Sequence, residues 1–426
     1  MLNKIKNIAN TEDKKRLLSN FFSLSILQGA NYILPLLTLP YLVRVLGVEN
    51  FGLLMFATAT IAYLSIITDY GFNLTATREI SIHRDNKEKM IEIFSSVMTI
   101  KVILMFFSLI LLFILVFSFD KFSKDWLIYF MTFGTVVGQV LFPVWFFQGI
   151  EQMKYITIIN ISIKSFFTFM IFFFVLEAND YVIVAILTSL GFIISGAVGL
   201  YFAMYKFHIS FQVQNFTTIT KYLKDGYNIF VSQFSINLYR TTNIFILGLL
   251  TNNTIVGYYS IAERILTAIQ NLQAPVGNAL FPNISKKYIQ LSLKESLTKI
   301  FKYSKYFAIV YAIATILSFV FASDIILLVS GKVLENSIIN FQIMSLVIFI
   351  GGMNYYIAIL GLLPLKYDKY FASSVIKVAI FNLIIVSTLS YIYQDIGTSI
   401  SLVMSEFFLL TLLLKKLYNI KNIYVK

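Results

Sequence analysis

Cysteine is absent from the 426-residue chain, and histidine occurs only as His83 and His208, both in polar connecting segments. Without cysteine there are no disulfides, no thiolate nucleophile, no zinc–thiolate site and no iron–sulfur cluster. The sequence also lacks a glycine-rich phosphate loop and a nucleophile–base pair. We therefore expect no metal, no cofactor and no enzymatic chemistry of the kind found in soluble enzymes.

Charged residues are also scarce, at 13% of the chain, whereas soluble domains carry about 25%. Hydrophobic residues make up 58%, and the mean hydropathy is +0.79. A soluble fold of this length has too little interior for so much apolar surface, so the excess is predicted to face lipid. The net charge of +13 is attributed to cytoplasmic loops and not to nucleic-acid binding. The charged N-terminus, MLNKIKNIANTEDKKR, is predicted to be a cytoplasmic tail and not a signal peptide.

The hydropathy pattern predicts an all-α polytopic membrane protein with about twelve transmembrane helices, each of roughly 20 apolar residues. The predicted spans cover approximately residues 18–43, 52–71, 92–119, 126–149, 155–176, 181–205, 225–250, 254–281, 303–322, 338–361, 370–391 and 397–414. With the N-terminus in the cytoplasm, the outer connections contain few basic residues, namely Arg44, Lys121, Lys124 and Lys332. This asymmetry follows the positive-inside rule and predicts that both termini are cytoplasmic.

The two halves of the sequence repeat weakly at one constant offset. The matched pairs are Gln28 with Gln233, Gly52 with Gly257, Ala57 with Ala262 and Asn73 with Asn278. We therefore predict an N-terminal six-helix bundle at residues 1–205, a cytoplasmic linker at 206–224 and a C-terminal six-helix bundle at 225–426. Six spans per half make the halves parallel repeats, which place substrate sites between them.

Three stretches of the chain resemble one family. They are LPLLTLPYLVRVLGVENFGLLMFATATIAYLSIITDYGFNLTATREIS (34–81), FPVWFFQGIEQMKYITIINISIK (142–164) and SQFSINLYRTTNIFILGLLTNNTIVGYYSIAERI (232–265). They resemble the polysaccharide transporters, or Wzx-type O-antigen and repeat-unit flippases, of the multidrug/oligosaccharidyl-lipid/polysaccharide exporter superfamily. The resemblance implies two bundles forming a V around a central cavity in the bacterial inner membrane. The implied cargo is an oligosaccharide on polyprenyl pyrophosphate, flipped from the inner to the outer leaflet by alternating access. Membrane lipids and the polysaccharide polymerase machinery are the other implied partners.

Charge inside a membrane span is costly and marks a functional hypothesis. The spans contain the bases Lys101, Lys164, Arg240, Arg264 and Lys377, the deep acids Glu263 and Glu406, and Asp69 near a cytoplasmic end. Because bases outnumber acids, we predict an anionic ligand such as pyrophosphate, which arginine binds through two parallel hydrogen bonds. The three acids are candidates for ion coupling.

Each candidate has a plainer alternative. Arg240 and Arg264 are predicted to face the cavity, but Arg264 in a structural ion pair, for instance with Glu406, is the alternative. Lys164 and Lys377 are predicted to face the cargo. Lys101 either does so or snorkels to the cytoplasmic surface. Arg44 either anchors the outer interface or meets the departing cargo. Gln28, Asn31, Gln233 and Asn237 either bind sugar hydroxyls or make helix–helix hydrogen bonds.

Rival functions remain open at this point. A multidrug exporter of the same superfamily generally needs acids deep in the membrane, and the first span has none. A peptidoglycan-precursor flippase commonly has helices beyond twelve. A membrane polysaccharide polymerase or glycosyltransferase would need a sizeable polar loop beside the membrane, and the predicted outer loops are short.

Overall fold

The computed structural model describes the backbone of residues 12–425 and the side chains in that range except those of 12–18, 21, 228, 232, 234–240, 289 and 423–425. All regular secondary structure in this part of the chain is helical. The helices are α1 (Glu12–Asp69), α2 (Phe72–Ile82), α3 (Lys87–Ser118), α4 (Asp120–Ser123), α5 (Trp126–Leu141), α6 (Val144–Gly149), α7 (Met153–Phe174), α8 (Tyr181–Tyr201), α9 (Phe216–Leu250), α10 (Asn253–Asn271), α11 (Gln273–Gln290), α12 (Leu293–Val320), α13 (Ala322–Ser330), α14 (Glu335–Tyr355) and α15 (Asp368–Val425). Short π-helical segments follow α8 (Phe202–Lys206) and α14 (Tyr356–Leu362).

Two of these helices are each broken once. Gly47 interrupts α1 with φ 73° and ψ 172°, and Gln394 interrupts α15 with φ 51° and ψ −128°. A positive φ is accessible to glycine at little cost but is strained for glutamine. The breaks lie where the sequence predicts outer connections, between residues 43 and 52 and between residues 391 and 397. Each long helix therefore corresponds to two predicted spans.

Eight helices among the described residues are long and apolar enough to cross a membrane. They include α1 and α15, so they account for ten of the predicted spans and confirm an all-α, multi-pass membrane protein. The remaining two predicted spans, 225–250 and 254–281, correspond to α9 and to α10 with α11. Those helices are more polar, because they contain Arg240, Glu263 and Arg264.

The chain divides into two compact units. One contains Met1–Thr38 and Ala57–Phe234, and the other contains Leu39–Phe56 and Ser235–Lys426. This division differs from the predicted one in two ways. The segment Leu39–Phe56, around the break at Gly47, groups with the second unit because it packs on α10. The region predicted as a linker, 206–224, groups with the first unit, where Ile209 and Tyr222 join the buried core.

The two units share some features of their helix order, and the predicted repeat stays a prediction. A shorter helix, α2 in the first half and α11 in the second, follows the first two long helical segments of its half, although the predicted span 254–281 includes part of α11. In the first unit the Lys206 Nζ lies 5.1 Å from the ring centroid of Tyr155, which joins the end of the sixth span to the start of the fifth. In the second unit Lys416 Nζ lies 4.5 Å from the ring centroid of Tyr367, at the equivalent ends. We call these the matched lysine–tyrosine contacts.

The outer surface of the first unit is apolar where α3 passes through the predicted membrane. Large side chains on this helix are about half exposed, including Ile103, Phe106, Phe107, Ile110, Phe113, Ile114 and Phe117. In water this stripe would destabilise the fold, whereas lipid tails solvate it. Its opposite face packs in a core centred on Phe94, Trp145 and Phe146.

Candidate functional site

The first unit contains a cavity of about 230 Å³ between its helices. It is lined by Thr68, Asp69, Asn73, Lys101, Gly138, Gln139, Phe142, Val144, Asn160, Lys164, Phe192 and Ser195. Three of the residues that the sequence singles out, Asp69, Lys101 and Lys164, are therefore brought together from α1, α3 and α7. We refer to this space as the lysine cavity.

Close packing of α5 against α8 builds one wall of the lysine cavity. A Cβ atom added to Gly138 would lie 2.2 Å from the carbonyl carbon of Phe192, and one on Gly196 would lie 2.5 Å from the carbonyl oxygen of Gly138. Small residues let the backbones of membrane helices approach this closely. The approach places the Phe192 ring and the Ser195 side chain opposite α7. The sequence gives no direct sign of this contact, since its glycines are scattered along two separate spans.

Lys101 is buried inside the lysine cavity, with only 3% of its surface exposed. Its Nζ lies 3.7 Å from Asp69 Oδ1, and the Asn73 Nδ2 donates a hydrogen bond to the same oxygen at 2.7 Å. Lys101 is thus paired with a carboxylate inside the cavity, and the two roles considered for it, toward the cargo and toward the cytoplasmic surface, stay predictions.

Lys164 stands in the same cavity without a carboxylate. Its Nζ lies 3.9 Å from the ring centroid of Phe192, a cation–π contact. The ion pairs found in the described part of the chain include none to Lys164. A ring face stabilises an ammonium group only partly, so this charge can accept an anion without first giving up a protein partner.

In the second unit, Arg264 is half-buried on α10. Its Nη2 lies 3.3 Å from the thioether sulfur of Met55, and no carboxylate among the described side chains is within ion-pair distance. The neighbouring Glu263 accepts a hydrogen bond from Thr267 at 3.0 Å, and Glu406 accepts one from Asn354 at 2.7 Å. The described ion pairs thus do not include the Arg264–Glu406 pair considered as the structural alternative.

Among the described side chains, the other candidate residues do not line the lysine cavity. Gln28 and Asn31 are exposed on α1, where Gln28 donates to the Tyr32 hydroxyl at 2.6 Å; Lys377 is also exposed, and Gln233 is half-buried. The side chains of Asn237 and Arg240 lie outside the described residues, so their assigned roles stay predictions.

Arg44 has a definite structural position. Its guanidinium group donates hydrogen bonds to the carbonyl oxygens of Leu328 and Val329, at the C-terminal end of α13. The final carbonyls of a helix have no helical partner and carry partial negative charge. Arg44 therefore caps α13, which favours the anchoring alternative over contact with the cargo.

Polar residues that the sequence analysis did not single out form a network inside the second unit. Asn382 Nδ2 donates to Asn243 Oδ1 at 3.0 Å, and Asn243 Nδ2 donates to the Tyr259 hydroxyl at 3.2 Å. Ser405 in turn donates to Asn382 Oδ1 at 2.9 Å. All four side chains are buried and have hydrogen-bond partners, so they join helices within the unit. The sequence feature that could have pointed to this network is the presence of an asparagine in each of two apolar spans, Asn243 and Asn382.

The lengths and apolar composition of the helices define a multi-pass membrane protein. The chain belongs to the polysaccharide biosynthesis protein family, whose pattern matches residues 17–288. A protein of Escherichia coli (strain K12) named for O-antigen transport is 30% identical over 415 residues, which cover 96% of this chain and 98% of that protein. The family resemblance predicted from the sequence is thereby confirmed.

Two solved structures share the fold. The lipid II flippase MurJ in an inward closed conformation has a TM-score of 0.67 and 14% identity, covering 95% of this chain and 87% of that one. An inward-facing multidrug resistance MATE family transporter of the MOP superfamily has a TM-score of 0.66 and 13% identity, covering 95% and 99%. At such low identity the likeness concerns the fold alone.

Proposed function

We propose that the protein is a flippase that moves polyprenyl-pyrophosphate-linked oligosaccharide repeat units from the inner to the outer leaflet of the bacterial inner membrane by alternating access. The observation that carries the proposal is the pair of deep cations, Lys164 and Arg264, that have no carboxylate partner among the described side chains. An idle cation at membrane depth would cost several kcal/mol, so it is retained where an anion visits it. Family membership supplies the class of cargo.

The two cations suit different parts of the task. Arg264 offers a planar fork of donors that fits two phosphate oxygens at once, whereas Lys164 offers a compact point charge. In a site sheltered from water, each contact to a phosphate is stronger than it would be in solution. The cargo must also leave on the far side, so the contacts have to be few.

The rival functions fit these observations less well. A drug exporter that binds cations would be repelled by unpaired basic groups, although one solved neighbour is a multidrug transporter. A peptidoglycan-precursor flippase would also carry a pyrophosphate, and MurJ shares the fold. The match to the polysaccharide family over residues 17–288 favours repeat units over that precursor. The proposal covers repeat units for O-antigen, capsule or exopolysaccharide.

Deleting the gene is expected to leave lipid-linked repeat units in the inner leaflet and to remove the surface polysaccharide, because this proposal gives the protein no role in building them. Glycan staining of the cell surface and mass analysis of the lipid-linked pool measure both effects. Restoring the wild-type gene is the control. Normal surface glycan in a strain without a paralogue would exclude the proposal, whereas truncated lipid-linked sugars would favour a membrane enzyme.

We place both termini in the cytoplasm, and cysteine labelling tests this topology directly because the wild-type chain has no cysteine. Cysteines at Asn252 and Tyr393 are expected to react with an impermeant thiol reagent in intact cells, and a cysteine at Asn86 only after lysis. Asp395 would be a poor labelling position although it lies in a predicted outer connection. It is 3% exposed, and its Oδ2 accepts a hydrogen bond from Asn340 at 2.8 Å. Labelling at Asn86 in intact cells would overturn the orientation.

A further inference from the structure

The two lysines of the lysine cavity have different partners, so an anion would bind to each of them in a different way. Lys164 faces a ring and no carboxylate, while Lys101 already has Asp69 at 3.7 Å. An anion that reaches Lys164 adds a contact. An anion that reaches Lys101 must displace a contact that exists.

The members of the Lys101–Asp69 pair differ in their freedom to move. The side chain of Lys101 is only 4% exposed, whereas that of Asp69 is 33% exposed. If the pair separates, the carboxylate can keep part of its hydration, but the ammonium group cannot. When the pair separates, Asp69 is therefore the residue that moves away, and Lys101 stays in place. Asn73 also stabilises the Asp69 carboxylate, since its amide donates a hydrogen bond at 2.7 Å to the oxygen that faces Lys101.

We propose that Asp69 is a positioning residue that competes with the anionic cargo for Lys101 and so sets how readily the cargo is released. This inference rests on the proposed flippase function. When the cavity is empty, Asp69 holds Lys101 and offsets its charge. When the cargo's phosphate enters, Lys101 exchanges the carboxylate for the phosphate. The return of Asp69 to Lys101 then helps to expel the cargo.

Competition has a measurable signature. Removing the charge of Asp69 takes away the competitor, so binding of the anion tightens while transport slows. Removing the Asn73 amide has the opposite effect, because the carboxylate then interacts with Lys101 alone and competes harder. Two substitutions four residues apart are thus expected to change the affinity in opposite directions, and a purely structural role would not produce this pattern.

The test uses the full-length protein in lipid nanodiscs with farnesyl pyrophosphate as the probe and farnesol as the uncharged control. Asp69→Asn is expected to bind farnesyl pyrophosphate about tenfold more tightly than the wild type, and Asn73→Ala more weakly. In cells, Asp69→Asn is expected to lower surface glycan per unit of protein in the membrane, with the abundance measured alongside because the buried Lys101 loses its carboxylate. Lys101→Gln is expected to weaken binding, and to abolish the effect of Asp69→Asn when the two are combined.

The outcomes separate this inference from the function on which it rests. A wild type that does not prefer farnesyl pyrophosphate to farnesol would refute the proposed cargo. Binding by the wild type together with unchanged or weaker binding by Asp69→Asn would refute the competing role alone. If Asp69→Asn does not fold, Asn73→Ala decides: weaker binding supports the competition, and unchanged or tighter binding contradicts it.

Discussion

Replacing Arg264 by alanine is expected to abolish most transport while leaving the amount of protein in the membrane near that of the wild type. The described surroundings of the guanidinium group contain a thioether at 3.3 Å and no carboxylate. Alanine therefore strands no buried acid. A hydrogen bond to a charged group contributes about 1.5–3 kcal/mol, so losing one such contact to phosphate lowers transport by roughly 10- to 150-fold.

Two kinds of control variant accompany this experiment: one keeps the positive charge, and the others remove a lysine with or without a carboxylate partner. Arg264→Lys keeps the charge but loses the fork of donors, so intermediate transport is expected. In the lysine cavity, Lys164→Ala should behave like Arg264→Ala, because it too leaves no acid unpaired. Lys101→Ala should differ and lower the abundance, because it leaves Asp69 without its cation.

Surface glycan and membrane abundance, measured on the same cells, decide the outcome. Full glycan display by Arg264→Ala at normal abundance would rule out a role for Arg264 in binding the cargo. A fall in abundance that a second substitution at Glu406 reverses would instead indicate a buried ion pair. Arg240→Ala belongs in the same series, since the sequence predicts the same role for it.

Adding a single methyl group at Gly52 is expected to disrupt the packing of Leu39–Phe56 on α10 and to impair transport severely. A Cβ atom at Gly52 would lie 1.9 Å from the carbonyl oxygen of Asn253, and one at Gly257 would lie 2.1 Å from that of Val48. Both contacts are to backbone atoms, which no rotamer change can relieve. Overpacking of this kind typically costs 1–3 kcal/mol, occasionally more.

Gly29 provides a matched control on the same helix. A Cβ atom there meets nothing within 4 Å, so Gly29→Ala should be neutral or slightly stabilising. The double variant Gly52→Ala/Gly257→Ala should lose less stability than the two single losses combined, because both glycines serve one contact. Melting temperature in detergent and surface glycan in cells are the measurements. Equal behaviour of Gly52→Ala and Gly29→Ala would show that the close approach is unnecessary.

The repeat in the sequence includes both glycines of this contact, Gly52 and Gly257, but it does not predict that they lie close together. Gly52 and Gly257 are matched in the sequence as equivalent positions of the two halves. In the structure the segments that bear them pack closely against each other. Sequence equivalence identifies residues with the same place in each half. It does not tell whether two such residues touch.

Spans were predicted well because hydropathy responds to lipid directly, and even the breaks at Gly47 and Gln394 lie between predicted spans. The partners of the charged residues were predicted poorly. Asp69 and Lys101 lie on different helices, and their pairing depends on how α1 and α3 pack. The capping of α13 by Arg44 depends on a segment far along the chain. Hydropathy gives the depth of a side chain and leaves its neighbour open.

The matched lysine–tyrosine contacts bear on the origin of the protein. An ancestral gene for one six-helix unit would have encoded a chain with both ends on the same side of the membrane. Tandem duplication and fusion could then join two copies through a short linker, with no inversion of either copy and no added helix. Lys206 with Tyr155 and Lys416 with Tyr367 join comparable ends of their units, although the two pairs do not lie at the offset that relates Gly52 to Gly257. With such an origin, the basic groups Lys164 and Arg264, which occupy different helices in their units, would have arisen after the duplication.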